Sequence, residues 1–213
     1  MKKVWICLTL LAALALTACG GAKESAEATP TPLPDDVLNN PVASEDGVAS
    51  DPGMAVTPET GEALPADTEL SEMVDKIYAA YPVELMMMTT SAVDLSDESW
   101  CRYNTGLRAE EAAKVDAGVL SESMTGSQAY SLVLLRVKDK GDAQTIADTM
   151  LDSIQMNKWV CVMADKARVA TFGDKVLFVM TNSELTDVDA LMAAAPEALG
   201  VTFDYKNSKD AEI

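Results

Sequence analysis

Few residues in this chain have the type and spacing to do chemistry, and the clearest are Leu16-Thr17-Ala18-Cys19. They end an apolar run, residues 4–16, that follows the positive pair Lys2 and Lys3. The run has signal-peptide length and is too short to cross a bilayer as a helix. Thr17 and Ala18 are small, as a signal peptidase needs before its cut, and Cys19 supplies a thiol for a thioether to diacylglycerol. The four residues read as a lipobox. The expectation is a signal peptide over residues 1–18, cleavage between Ala18 and Cys19, and lipid attachment at Cys19. Two or three acyl chains would then hold the protein at the membrane.

Once Cys7 leaves with the apolar run, Cys101 and Cys161 remain. In an exported chain two cysteines either form one disulfide or stay as buried free thiols. A Cys101–Cys161 bond would close a long loop, stabilising by about 4 to 5 kcal/mol in the chain-entropy model. Met86-Met87-Met88 is a thioether run that could suit Cu(I). Methionine more often fills irregular core gaps, and core is the favoured reading here. Asp94, Asp97 and Glu98 lack the spacing and central glycine of a calcium loop, so helix capping or a solvated loop is expected. No metal, cofactor or catalytic residue is assigned.

Composition narrows the rest. The 213 residues carry a net charge of −18, and cleavage would remove two lysines more. Such a chain repels phosphate backbones, which argues against nucleic acid. There is no histidine, which excludes Ser-His-Asp and Cys-His catalysis and histidine-containing zinc sites. No Gly-x-Ser-x-Gly, Ser-x-x-Lys, Gly-x-Gly-x-x-Gly or phosphate-binding Gly-Lys-Ser/Thr motif occurs. Acid pairs such as Glu110-Glu111 and Asp187 with Asp189 exist, but pairs arise by chance in so acidic a chain.

The elements that must position any site begin after a change of material. Residues 19–67 hold seven of the nine prolines and one base, Lys23. Low hydrophobicity with high charge predicts a disordered acidic linker, its ends roughly 40 Å apart as a random coil. A globular domain is expected over residues 68–204, with a flexible tail over 205–213. Residues 68–81 carry a helical stripe, Leu70, Val74, Ile77 and Tyr81 among its members, with Asp67 or Thr68 as cap and Pro82 as stop. Residues 85–93 are ambiguous, and residues 100–103 are expected as a short strand. Residues 108–114 make at most two helical turns. Val115, Ala117 and Val119 alternate as in a strand. Residues 130–137 form the strongest strand, paired in a hairpin around Gly126. Asp142 caps the best helix, with the stripe Ala143, Ile146, Ala147, Met150, Leu151, Ile154. Residues 159–163 are expected to be extended. Residues 168–172 and 175–180 make a second hairpin about Gly173-Asp174. Thr186 and Asp189 start a last helix, weakened by Pro196, and residues 201–203 are a final extended piece. The order predicts an α+β fold: an antiparallel sheet of about four to five strands, with about three helices packed mainly on one face. Two strands lack alternation and so should be covered on both faces. Either the helices wrap the sheet or one face meets a partner.

Over residues 70–203 the chain resembles the small lipoproteins of Gram-positive bacteria that carry a single domain of unknown function. The residues that carry the likeness are Ile77-Tyr78, Tyr103-Asn104-Thr105-Gly106, Leu135-Arg136-Val137-Lys138-Asp139 before a long amphipathic helix, and the hairpin over residues 169–179. The resemblance implies this architecture and a location outside the cell membrane, and supplies no catalytic residues. The expected function is a non-enzymatic, lipid-anchored binding module, facing an envelope protein or wall polymer. The alternative is a cell-wall hydrolase using two carboxylates, which would need a cleft lined by such a pair. A transporter's solute-binding lipoprotein fits poorly, because those usually have two larger lobes.

Overall fold

The computed structural model describes residues 64–211, all within the unit Ser50–Ile213. The lipobox, with Ala18 and Cys19, and all but the last four residues of the expected linker lie outside the described residues.

The fold is α+β. Its elements run α1 (Thr68–Ala80), β1 (Met88–Ala92), α2 (Glu98–Thr105), α3 (Ala109–Ala112), β2 (Val115–Ser123), β3 (Tyr130–Val137), α4 (Ala143–Ser153), β4 (Lys166–Phe172), β5 (Lys175–Thr181), α5 (Val188–Leu199) and β6 (Tyr205–Asp210). The strands form one six-stranded sheet in the order β1-β2-β3-β5-β4-β6. Every neighbouring pair is antiparallel. Among the described residues no helix is long and apolar enough to cross a membrane.

Helices lie on both faces of the sheet, which explains the strands without alternation. Leu132, Leu134, Leu177 and Val179 pack with Leu70, Val74 and Ile77 of α1 and Val188, Leu191 and Ala195 of α5. The residues between them, Val133, Leu135, Val176, Phe178 and Met180, pack with Ile146, Ala147 and Met150 of α4 and Cys101 of α2. β3 and β5 are thus buried on both sides, and each fully buried Leu or Phe stabilises by about 1.5 to 3 kcal/mol. This corrects the expectation of helices mainly on one face: among the described residues both faces of the central strands are covered.

The sheet gains its fifth and sixth strands at its edges, where burial is weak and pattern is a poor guide. β1 emerges from the ambiguous residues 85–93. β6 replaces the expected flexible tail. Its sequence, Tyr-Lys-Asn-Ser-Lys-Asp, carries little apolar surface, so it is held by polar contacts. It pairs with β4. Tyr205 Oη donates to Asp148 at 2.6 Å and Asn207 Nδ2 at 2.9 Å. Lys209 Nζ donates to the carbonyls of Leu151 and Asp152, where the C-terminal end of α4 favours a cation.

Residues 100–103 are helical, and the expected strand there is corrected. The cause is local: Asp97 Oδ1 accepts from Trp100 N at 2.9 Å and Asp94 Oδ1 from Ser96 N and Asp97 N. The acidic run acts as a cap and turn. Gly106 closes α2 at φ +77°, and an added Cβ would lie 3.0 Å from Ile154 N. Glycine there permits both the left-handed turn and the close approach of α2 to the end of α4. Residues 159–163 and 201–203 form no strand. Two caps also move. Asp142 bonds Lys114 instead of capping α4, and Asp187, between the expected Thr186 and Asp189, caps α5.

Candidate functional site

Among the described residues, most of the large apolar side chains left in water collect at one end of the sheet. Met86, Met87, Met124, Val160, Met163 and Leu185 are between 37% and 69% exposed. They sit on four loops: residues 82–87 before β1, 124–129 between β2 and β3, 154–165 before β4, and 182–187 after β5. Hydrogen bonds join these loops into one surface. Gln128 Oε1 accepts from Met86 N, and Ser123 Oγ donates to Met86 O. Met124 N donates to Met87 O, Val160 N to Gly126 O, and Asn182 N to Ala129 O. Asn182 Nδ2 reaches Met163 O, and Asp165 accepts from Ser183. Exposed apolar side chains gathered on neighbouring loops are what interaction sites present.

Its backbone is strained as well. Among the described residues the non-glycine positions with positive φ are Met87, at +52°, and Cys161, at +60°. Both lie on this rim. A side chain in that region costs roughly 1 to 2 kcal/mol, and such strain tends to collect at functional sites.

The rim's longest loop is braced from beneath by Lys158, whose side chain is 1% exposed. Its Nζ donates to Glu122 Oε2 at 2.9 Å, Asn104 Oδ1 at 3.1 Å and Ser131 Oγ at 3.3 Å. Those three acceptors match an ammonium's three donors. The rings of Tyr103 and Trp159 lie 5.5 and 5.1 Å from Nζ, within cation–π range. Tyr103 Oη also donates to Lys158 O. Burial pushes the Lys158 pKa down, and Glu122 opposes that shift. Ser131 and Lys158 are types that make a nucleophile and its base, but Ser131 is fully buried and every Nζ proton is engaged. The group is a brace that fixes where Val160, Cys161 and Met163 emerge.

The residues singled out in sequence fall differently. Cys101 and Cys161 form no disulfide: both are free, Cys101 buried on α2 and Cys161 exposed on the rim. Burial raises the Cys101 pKa. Met88 packs against the core, but Met86 and Met87 stand in water, correcting the core reading for those two. Among the described residues no group of three or more Cys, Asp or Glu is placed to hold a metal ion. The hydrolase alternative needs two carboxylates in one cleft. Two surface depressions among the described residues hold one acid each: one is lined by Arg168, Lys206 and Asp189, the other by Arg108, Lys138 and Glu98. The carboxylates with shifted pKa values, Asp67, Asp94 and Asp189, are all shifted down, opposite to a general acid.

The brace and the rim were not anticipated. One signal was available: residues 159–163, Trp-Val-Cys-Val-Met, are apolar but lack a partner segment of matching pattern. No known protein family matches the chain. No curated protein and no solved structure matches it either.

Proposed function

We infer that this is a lipid-anchored protein of the bacterial cell envelope, held outside the membrane through Cys19, whose α+β domain binds a partner through the methionine-rich rim. The reading makes it an interaction module and not an enzyme. Its location rests on the lipobox-like residues 16–19 behind an apolar run, and on the acidic, proline-rich residues that follow. The observation that carries the binding role is the rim: exposed apolar side chains on four bonded loops, with both strained non-glycine residues among them.

Two measurements in a producing bacterium test this. Labelled lipid precursor should enter the protein and be lost in Cys19→Ala; label retained in that variant removes the anchor. A photo-crosslinking residue at Met124 should trap an envelope protein or wall polymer, while one at Lys140, at the opposite end, should not. Equal trapping from both positions, or none from Met124, removes the rim as binding surface.

A further inference from the structure

We propose that the rim seats a cationic amphipathic peptide segment: an apolar face bordered by basic residues. The proposal rests on the binding role argued above and names the chemistry of its partner. The argument is charge complementarity around an adaptable apolar floor.

The four loops contain few charges. Glu84, Lys158, Asp165, Glu184 and Asp187 are all of them. Lys158 is buried on Glu122, Asp165 accepts from Ser183 N and Oγ, and Asp187 caps α5 by accepting from Asp189 N and Ala190 N. Glu84 and Glu184 remain, both exposed. Glu84 stands on 82–87, before the edge strand β1, and Glu184 on 182–187, after β5, which lies between β3 and β4; Met124, Val160 and Met163 are on the loops bonded to these two. The surface therefore sets exposed apolar side chains among exposed carboxylates, with no exposed cation on the four loops, in a chain of net charge −18. An anionic segment or lipid surface would be repelled. A second copy would bring its own acids against these. A segment with lysines or arginines outside an apolar face gains at every point.

The apolar floor suits such a segment. Four of its side chains are methionines or sit beside one, and thioethers on unbranched chains repack around different shapes. Surfaces built this way accept sequences that share a pattern more than an identity. A helix docking by its apolar face needs the same.

The probe is a synthetic amphipathic helix of leucine and lysine, roughly 15 residues long so that it can be helical. Its counterpart has glutamate for lysine. The protein is the full chain carrying Cys19→Ala, with its methionine methyl groups labelled for NMR. The Leu/Lys peptide should move the methyl signals of Met86, Met87, Met124 and Met163 and leave buried Met150 and Met180 in place. Binding should weaken with salt, as screened charges do, and the Leu/Glu peptide should not bind. Met87→Ser with Met124→Ser should weaken binding at least tenfold. Glu84→Gln with Glu184→Gln should weaken it several-fold. All four residues are exposed, and the buried methyl signals report that the fold is kept. Three results overturn the proposal: Leu/Lys binding that leaves the rim methyls unmoved, equal binding of the Leu/Glu peptide, or rim signals that move with protein concentration alone, which would make the occupant a second copy. Should Met124 still trap a partner in cells, only the cationic chemistry falls and the rim's binding role stands.

Discussion

The two ends of the sheet use charge in opposite ways. At the end where the described chain begins, Arg136 meets three carboxylates in view of solvent: Asp67 at 2.7 Å, Glu69 at 2.9 Å and Asp116 at 2.8 Å. Lys175 adds contacts to Glu69 and Asp174. Among the described residues of the four rim loops the one cation, Lys158, is withdrawn from water onto one carboxylate and two neutral acceptors. The first arrangement tethers α1 to β2 and β3 at little desolvation cost. The second takes a charge off the surface and leaves thioethers in its place. One end holds its charges in solvent, and the other leaves apolar side chains there.

The largest effect expected from that contrast is at Glu122. Removing one partner of a buried ion pair costs about 3 to 5 kcal/mol, so Glu122→Ala should lower unfolding stability by roughly that much, less what Lys158 recovers by losing its proton. Lys158→Met should cost less, because Met fits between the rings and Glu122, partly exposed, can turn to water. Urea unfolding decides. If Arg136→Met proves more damaging than Glu122→Ala, the contrast is reversed. The pH dependence has a definite sign. Lys158 has a folded pKa below its usual 10.5, so the unfolded chain binds more protons between those values and stability rises with pH there. Tyr78, Tyr103 and Tyr130 have raised values. Their contribution is full below pH 10 and is lost as pH climbs through the raised values. Lys158→Met should abolish the rise and keep the fall.

Next in size is Gly106→Ala. The left-handed φ costs roughly 1 to 2 kcal/mol in alanine, and the new Cβ would press on the Ile154 backbone. Because α2 carries Asn104 and Tyr103 to Lys158, the damage should spread to the rim. Faster hydrogen exchange in residues 154–165 would sharpen the comparison, and exchange confined to α2 would separate helix from brace.

Asp67→Asn probes the opposite end and should cost about 1 kcal/mol at neutral pH, since the amide keeps the cap on Leu70 N but loses the charge facing Arg136. Arg136, with the Leu70 amide, holds the Asp67 pKa below 3.8. The stability this confers is present above that value and is lost as pH falls through the folded one. The gap between wild type and variant should therefore close in acid. A gap independent of pH would mean that the residue acts through the cap alone.

What could be read from the chain follows the same division. α1, β3, α4 and the hairpin of β4 and β5 announce themselves because burial imposes a period on Leu70, Val74 and Ile77, or an unbroken apolar run on residues 176–180. The edge strands β1 and β6 are set by backbone pairing and polar contacts, which leave no such period. α2 was hidden because Trp100 and Tyr103 suggest a strand, while its start depends on one aspartate, Asp97. The brace joins Asn104, Glu122, Ser131 and Lys158 from four separate segments, and nothing local to any of them foretells the meeting. Met86 and Met87 show the limit most sharply, since the same side chain serves a core and a docking surface equally well.

Met87→Gly is the smallest change, and it tests whether the rim's strain is tied to its use. Glycine occupies φ +52° without steric penalty, which relieves roughly 1 to 2 kcal/mol of backbone strain. It also gives the unfolded chain more freedom, which takes part of that back. The net should be a gain of up to about 1 kcal/mol, read by urea unfolding beside a weaker response to the Leu/Lys peptide. More stability with less binding would mean that the protein holds a strained residue in place because its exposed thioether is needed there. Binding unchanged in Met87→Gly would make Met87 a bystander and leave the rim's function to Met124 and residues 160–163, where Cys161→Gly would be the matching test of the second strained position.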